Sequence, residues 1–184
     1  MNFLSLLCGV ATKTRAYADK VKPYKARILD TRKTIPALRE LQKYAVRIGG
    51  GYNHRMRLDE MVLVKDNHLK IIGDRLWVIG FKEIKNKISS KIQTEVEVKT
   101  LKEFRKALKI KPDIIMLDNM NIKDIKKAVR IKNNLPPATC HLPPKLEVSG
   151  GITLNNVRGI AKTGVDMISV GALTHSVQAI DISL

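Results

Sequence analysis

The sequence predicts an α/β fold in which about six parallel strands alternate with helices, preceded by a helix at the N-terminus. Three observations support this prediction. Short apolar runs recur along the 184 residues, and segments with helical spacing or loop composition separate them. The chain has the length of one domain, and 44% of its residues are hydrophobic, which suffices for one buried core. Repeated strand and helix units of this kind form right-handed crossovers and therefore a parallel sheet.

The first element is predicted to be a buried amphipathic helix that runs to about Lys20. Its apolar opening, NFLSLLCGVA, is about ten residues long and follows no basic residue, so it does not fit a signal peptide. A lipoprotein signal does not fit either, because Leu7 stands where a small residue should precede Cys8. No other stretch approaches the ~18 apolar residues that a membrane span requires.

The first strand is predicted at residues 26–29, and the next helix should open at Pro36, a residue suited to the first helical turn. Spacings of three and four residues predict which face of that helix is buried. The predicted buried positions are Leu38, Leu41, Ala45 and Ile48. The helix should end at Gly49, the first glycine of a run.

Further strands complete the predicted set. They are expected at residues 61–64, 94–98, 113–117, 145–148 and 166–170. The alternation of TEVEV at 94–98 predicts that its glutamates point to an exposed side and its valines to the other. Helices are expected in LKEFRKAL, at about 122–132 and in LNNVRGIAKTG, and a helical region broken by Gly73 and Gly80 is expected after 61–64.

The net charge of +17 indicates an anionic partner, which could be nucleic acid, anionic lipid or a substrate rich in phosphate and carboxylate. Nucleic acid is disfavoured because the basic residues are spread along the chain and only 4% of residues are aromatic. Cys8 and Cys140 lie far apart in unlike contexts. They form no disulfide framework, which favours a reducing cytoplasm.

Polar residues and glycines follow the predicted strands at their carboxyl ends. In a β/α barrel these ends converge on the active site, although the strand pattern alone does not decide between a barrel and an open sheet. The residues at these positions are Arg32, Lys33, Lys65, His68, Glu97, Asp118, Ser149, Gly150, Gly151 and Gly171. A structural role alone would not require acids, bases and glycines at one rim, so the sequence predicts a functional site there.

Two groups at this rim suggest a chemistry, and each has a structural alternative. The glycines of SGGIT and Gly171 predict a phosphate site, whereas SGGIT could also be a tight turn before a helix. Glu97 and Asp118 predict a site for Mg²⁺ or a ribose hydroxyl, whereas the alternative is a pair of solvated carboxylates. His54 and His68 lack metal-ligand spacing, which favours hydrogen-bonding or charge roles.

Consecutive glycines stand directly before Asn53, His54 and Arg55 in RIGGGYNHR, residues 47–55. The first is explained as the end of a helix. The others predict a backbone turn or a close approach that glycine allows without steric cost.

Eight ordered motifs together resemble nicotinate-nucleotide pyrophosphorylase, also called quinolinate phosphoribosyltransferase (decarboxylating). They are TRKT at 31–34, the helix to KYAVR, GGGYNHR at 49–55, MVLVKDNH at 61–68, EVEV, MLDN, EVSGGIT and SVGALTHS. The resemblance covers essentially the whole chain and implies an incomplete parallel β/α barrel (TIM-like) of about six strands after an N-terminal helix. The implied reaction transfers phosphoribosyl from phosphoribosyl pyrophosphate to quinolinate with Mg²⁺. It yields nicotinate mononucleotide, carbon dioxide and pyrophosphate in NAD synthesis.

The resemblance also implies roles for individual residues. Lys33, Glu97 and Asp118 would be catalytic, and the two carboxylates would serve Mg²⁺ directly or through the substrate. Quinolinate would be bound by Arg32, Lys33, His54, Arg55 and Lys65. Phosphoribosyl pyrophosphate would be bound by Glu97, Asp118, Ser149, Gly150, Gly171 and His175.

Members of this family carry an N-terminal domain ahead of the stretch resembling NFLSLLCGVAT and a tail beyond the stretch resembling DISL. The resemblance therefore implies that residues 1–184 form one catalytic barrel domain, with a leading helical segment at 1–22 and without those two parts. The implied partners are a second copy in a homodimer or a separately encoded N-terminal half, with no nucleic acid and no membrane. The alternatives for function are a truncated inactive remnant and a non-enzymatic basic module that binds polyanions.

Overall fold

The computed structural model describes residues 1–65, 80–81, 83–136 and 143–183. The chain forms two structural units. Unit 1 consists of Met1–Arg57 with Ser149–Leu184, and unit 2 consists of Leu58–Val148. Predictions that concern His68, Gly73 and Cys140 lie outside the described residues. Within the described part of the chain, no helix is both long and apolar enough to cross a membrane.

Helices and strands alternate after the first helix. The helices are α1 Asn2–Val21, α2 Arg39–Ile48, α3 Leu101–Ile110, α4 Ile122–Asn133, α5 Val157–Ala161 and α6 Ala172–His175. The strands are β1 Arg27–Leu29, β2 Met61–Val64, β3 Gln93–Val98, β4 Ile114–Asp118, β5 Lys145–Ser149 and β6 Met167–Ser169. Each strand overlaps a strand predicted from the sequence.

The strand pairings are parallel. In unit 1, β1 pairs with β6 so that Ile28 lies beside Ile168. In unit 2, β3 pairs in parallel with β2 on one side and with β4 on the other, and β5 is the next neighbour of β4. The predicted fold class, an α/β fold of parallel strands and flanking helices preceded by an N-terminal helix, is confirmed.

Helix α1 packs through one face onto the rest of unit 1. Its buried side chains include Val10, Thr14, Tyr17 and Val21, which follow one another at spacings of four and three. This spacing places them on one side of a helix of 3.6 residues per turn. The buried amphipathic helix predicted at the N-terminus is therefore confirmed.

The predicted buried face of α2 is wrong in two of its four positions. Leu41 is 45% exposed and Ile48 is 63% exposed, while Ala45 is buried as expected. The core-facing side instead holds Gln42 and Lys43, both fully buried. These polar side chains are accommodated because they bond inside unit 1. The Gln42 amide, for example, donates to the Thr174 carbonyl at 2.9 Å.

The predicted start of α2 at Pro36 is also wrong, because the helix begins at Arg39. Between the two, Ala37 has a φ of 63°, which lies in the left-handed region and interrupts a right-handed helix. The sequence offered no signal for this, since alanine is the residue that most favours helices.

The prediction for β3 is wrong about exposure. Glu95 is fully buried and Glu97 is half-buried, so neither glutamate lies on a solvated face. Val96 and Val98, on the other side of the strand, are fully buried as well. Strands of a parallel sheet are covered on both faces, and this buries the charged side of the alternation along with the apolar side.

Candidate active site

The loop after β1 carries Arg32 and Lys33 and is held by hydrogen bonds from several directions. The Lys33 amide donates to the Thr31 hydroxyl at 3.1 Å, and the Arg39 guanidinium donates to the Thr34 hydroxyl at 3.2 Å. The backbone of the loop is thereby fixed, while the Lys33 side chain remains exposed and that of Arg32 is half-buried. This loop can present two cations in a defined direction.

The glycine run between α2 and Tyr52 combines two physical requirements. Gly50 has a φ of 86°, in the region that favours glycine. Gly51 is packed so closely that a side-chain Cβ would lie 2.7 Å from Cγ2 of Thr14 in α1. Gly49 follows α2 directly, as the sequence predicted, and its amide donates to the Ala45 carbonyl at 3.0 Å.

The segment after the glycines runs beside β1. The Tyr52 amide donates to the Ile28 carbonyl at 2.8 Å, and the Asp30 amide donates to the Tyr52 carbonyl at 3.1 Å, which forms a parallel bridge. This bridge brings His54 and Arg55 to the carboxyl end of β1, where Arg32 and Lys33 begin their loop. The backbone turn predicted at the glycines is confirmed at Gly50, from which this segment continues.

A buried ion pair lies under His54. The Lys43 ammonium and the Asp30 carboxylate are both fully buried and lie 2.5 Å apart. The same Asp30 oxygen accepts from the His54 amide at 2.9 Å, and Lys43 donates to the His54 carbonyl at 2.8 Å. Burial raises the pKa of the Asp30 carboxyl, and the hydrogen bonds and charge of Lys43 oppose that shift.

The residues on either side of His54, Asn53 and Arg55, form further hydrogen bonds. With its amide oriented so that the nitrogen faces acceptors, Asn53 donates to the second Asp30 oxygen at 3.1 Å and to the Lys43 carbonyl at 2.9 Å. The Arg55 amide donates to Nδ1 of His54 at 2.9 Å. A neutral His54 ring therefore carries its proton on Nε2, because Nδ1 is the acceptor.

The glycines after β5 form an irregular turn. Gly150 and Gly151 have φ values of 89° and 60°, and Asn156 donates from its side chain to the Gly151 carbonyl at 2.8 Å. The helix predicted over LNNVRGIAKTG is shorter than expected, since α5 begins only at Val157. Residues 151–156 form a turn instead of the first part of that helix. The Asn156 side chain holds this turn, because it also accepts a hydrogen bond from the Thr153 amide at 2.8 Å.

The end of β6 places a glycine against an imidazole. A Cβ on Gly171 would lie 2.9 Å from Nε2 of His175, so the ring packs directly on the glycine backbone. The Nδ1 atom of His175 lies 2.6 Å from the Ser176 hydroxyl. Within unit 1, Gly171 and His175 therefore form one local group, as a shared ligand would require.

The predicted site residues that lie in unit 2 are Lys65, Glu97 and Asp118. Lys65 directly follows β2 and is exposed. Glu97 lies beside Met116 in the register, so Asp118, two residues further along β4, is on the same face of the sheet. Asn119 then turns the chain away with a φ of 53°. The two half-buried carboxylates thus project from neighbouring strand ends.

Sequence reasoning missed four charged residues. They are Asp30, Lys43, Glu95 and Glu147, all fully buried. In unit 2, a carboxyl oxygen of Glu95 lies within 4.8 Å of one of Glu147. A usable signal was available for the glutamates, because an acid inside an otherwise apolar strand of a parallel sheet has no solvated side to occupy. Lys43 offered none, since a lysine within a helix is usually solvated.

The predicted site residues fall into two groups, one in each unit. Unit 1 holds Arg32, Lys33, His54, Arg55, Ser149, Gly150, Gly171 and His175. Unit 2 holds Lys65, Glu97 and Asp118. Cations, two imidazoles and glycines in the first group suit anionic ligands, and carboxylates in the second suit hydroxyl groups or a hard cation.

An α/β protein with such residues at the carboxyl ends of parallel strands has the β/α architecture in which ligand sites form at those ends. The chain is a member of the family described as quinolinate phosphoribosyl transferase, C-terminal domain, whose model matches residues 10–184. The resemblance identified from the sequence motifs is thereby confirmed.

Individual relatives agree with this assignment. The chain is 46% identical to a probable nicotinate-nucleotide pyrophosphorylase (carboxylating) of Methanocaldococcus jannaschii, over all of this chain and 64% of that protein. It is 42% identical to the corresponding enzyme of Mycobacterium leprae, over all of this chain and 62% of that protein. The solved nicotinate-nucleotide pyrophosphorylase of Francisella tularensis aligns with a TM-score of 0.86 and 44% identity, over all of this chain and 61% of that one. The chain thus spans less than two thirds of the length of these relatives.

Proposed function

We propose that this chain carries out phosphoribosyl transfer from phosphoribosyl pyrophosphate to quinolinate, with decarboxylation, in the de novo synthesis of NAD. The observation that carries the proposal is the presence of every motif residue implied by the resemblance in a chain that matches the family over residues 10–184. The products are nicotinate mononucleotide, carbon dioxide and pyrophosphate. The lack of a disulfide framework in the sequence supports a cytoplasmic location.

The quinolinate end of the proposed site uses cationic side chains and an imidazole. Arg32, His54, Arg55 and Lys65 pair with the two carboxylates of quinolinate, and the guanidinium groups can do so in a bidentate manner. Lys33 lies between quinolinate and the phosphoribosyl donor. The fixed backbone of its loop supports this role, because an exposed lysine on a mobile loop would position neither substrate.

The phosphoribosyl end uses glycines and carboxylates. Ser149, Gly150, Gly171 and His175 bind phosphate oxygens, and the close packing of His175 on Gly171 supports a common ligand for this pair. Glu97 and Asp118 face the ribose. Their negative charge also favours the cationic character that develops at the ribosyl carbon when pyrophosphate departs.

Mg²⁺ fits the donor set of the second group, because carboxylate oxygens are the ligands this ion prefers. Glu97 and Asp118, on one face of neighbouring strands, would hold it directly or through the oxygens of the substrate. The ion would supply neutralisation of the pyrophosphate charge. The carboxylates would orient the ribose hydroxyl groups.

The proposed reaction requires no nucleophilic side chain. Pyrophosphate leaves the ribosyl carbon, the pyridine nitrogen of quinolinate forms the new bond to that carbon, and the adjacent carboxylate then departs as carbon dioxide. The cationic ring nitrogen stabilises the electron pair left on the ring carbon, which takes up a proton. The protein contributes positioning and electrostatic stabilisation.

The test is formation of nicotinate mononucleotide from quinolinate and phosphoribosyl pyrophosphate with Mg²⁺ by the purified chain. Asp118→Ala is the control for turnover by a contaminant. Product that disappears in the control supports the proposal for this chain by itself. If folded protein forms no product, the assay is repeated with the N-terminal third of a relative supplied separately. Failure of both assays contradicts the proposed activity and leaves an inactive remnant or a polyanion-binding module.

A further inference from the structure

We propose that Lys43 and Asp30 are positioning residues that fix the backbone of His54 and thereby the quinolinate end of the site. The inference rests on the proposed function, which assigns His54 and Arg55 to quinolinate. The motif resemblance implies no role for either Lys43 or Asp30. Both are fully buried, so they act through other residues rather than by touching a ligand themselves.

The hydrogen bonds of the ion pair converge on the backbone of His54. The His54 amide donates to Asp30, and the His54 carbonyl accepts from Lys43, so one ion pair bonds to both backbone polar atoms of that residue. Asn53, directly before it, donates to the same carboxylate. Three elements meet there, because Asp30 follows β1, Lys43 lies in α2 and His54 lies in the segment after the glycines.

Stability alone does not account for this pair. Removing two charges from water costs free energy that their attraction only partly recovers, and apolar side chains of similar volume often serve folding equally well. An apolar side chain at position 43 could fill the same space in α2. It could not donate to the His54 carbonyl, so the position of His54 is what the ion pair provides in addition.

The position of the His54 backbone determines where two side chains point. Its ring is oriented by the bond from the Arg55 amide to Nδ1, so a shift of the peptide between these residues moves the ring and the Arg55 side chain together. Binding sites lose affinity steeply when such groups are misplaced by about 1 Å. Lys43→Met should therefore weaken quinolinate binding much more than binding of the phosphoribosyl donor.

The experiment measures dissociation constants of the full chain for quinolinate and for phosphoribosyl pyrophosphate by calorimetry. In Lys43→Met we expect the constant for quinolinate to rise about 10- to 100-fold, while that for the donor changes less than about twofold. The double variant Asp30→Asn with Lys43→Gln keeps an acceptor for the His54 amide and a donor for its carbonyl without the charges. It should restore quinolinate binding to within about threefold of the unsubstituted chain.

Amide hydrogen exchange separates positioning from general destabilisation. In Lys43→Met the His54 amide should lose protection, while the Tyr52 amide, bonded to the Ile28 carbonyl, keeps it. Val165→Ala, a truncation in the core of unit 1, is the stability control and should leave both dissociation constants unchanged. Lys25→Met, which removes an exposed ion pair with Asp166, is the charge control.

The outcomes are distinct. Equal quinolinate binding by Lys43→Met and the unsubstituted chain overturns the positioning role but leaves the proposed function intact. Loss of protection at both His54 and Tyr52, or weakened binding of both substrates, reduces the pair to a structural role and also overturns it. Absence of quinolinate binding in the unsubstituted chain, both alone and with the N-terminal third of a relative supplied separately, refutes the proposed function and this inference together.

Discussion

The Thr174 hydroxyl donates to the backbone carbonyl of Lys33 at 2.6 Å, across 141 positions of the chain. Thr174 lies in α6, directly beyond β6, and its own carbonyl accepts from the buried Gln42 amide. Gln42 in turn accepts from the Ile35 amide at 2.9 Å. The loop that carries Lys33 is therefore part of a hydrogen-bonded framework with α2 and α6.

Thr174→Val should lower the free energy of unfolding by about 1–2 kcal/mol, because the Lys33 carbonyl loses its donor while the shape of the side chain is kept. Thr174→Ser retains the hydroxyl and should keep the hydrogen bond, at a smaller cost from the lost methyl group. Urea unfolding followed by circular dichroism measures both. Equal losses in the two variants would assign the effect to the methyl group and contradict a role for the bond.

Gly50→Ala should destabilise the protein by about 1–2 kcal/mol, since its φ of 86° lies in the left-handed region that costs other residues this much. It should also raise the half-saturating concentration of quinolinate, because the segment to His54 starts there. Gly50→Asn is the matched variant, as asparagine tolerates this region better. Steady-state kinetics and thermal unfolding are the measurements, and equal behaviour of both variants with the unsubstituted chain would reduce Gly50 to a helix stop.

Ala37→Gly should stabilise the protein by roughly 0.5 kcal/mol, because it removes left-handed strain at a φ of 63° and only part of that gain is offset by chain entropy. The same substitution at Ala16, inside α1, should instead destabilise it by about 1 kcal/mol. Denaturant midpoints compare the two. A loss of stability at position 37 would show that its conformation is not strained.

Lys33→Ala and Asp118→Ala should each lower turnover by at least about a hundredfold while the melting temperature changes by no more than a few degrees. Both side chains project from the ends of elements rather than into the core. The assay of nicotinate mononucleotide formation and calorimetric melting test this. A collapsed melting temperature in either variant would count against its catalytic assignment.

Asn121→Ala should raise the pKa of Asp124, which is held below its ordinary value first by a hydrogen bond from Asn121 and then by one from Lys127. A lowered pKa in the folded state contributes stability above the ordinary pKa of the carboxyl, and this contribution is lost as the pH falls through the folded value. Asn121→Ala should therefore reduce the part of the unfolding free energy that is lost as the pH falls. Carbon NMR titration of the Asp124 carboxyl tests it.

Lys127→Met is the comparison for this titration. It removes a hydrogen bond and a nearby positive charge, so it should also raise the pKa of Asp124. An unchanged pKa in this variant would contradict the contribution of Lys127.

Periodicity located the strands well because each is a short apolar run between turn residues, and β4 and β6 agree with prediction almost to the residue. Periodicity failed on α2, because hydropathy alone predicts that Leu41 is buried and Gln42 is exposed, and the structure shows the reverse. The difference arises from partners that lie far away in sequence, such as the Thr174 carbonyl. A polar side chain enters a core only when such partners exist, and a single sequence does not display them.

The candidate site could be predicted where charged residues lie at the end of a strand or shortly after it, as for Asp118 and Lys33. It was not predictable beneath the surface. Lys43 is a lysine on a helix, a residue that is almost always solvated, and its burial depends on Asp30 being within reach. The residues proposed to touch ligands therefore follow from the sequence more readily than those proposed to hold them in place.

The pairing of β1 with β6 has a consequence for how the chain folds. Lys25 and Asp166, beside those strands, form an ion pair although 141 residues separate them. Unit 2 is continuous in sequence, whereas unit 1 draws on both ends of the chain. On the ribosome, β1 must therefore wait for β6 to be synthesised before the two strands can pair. Such distant contacts make folding slow, and this lengthens the time for which chaperones can bind the nascent chain.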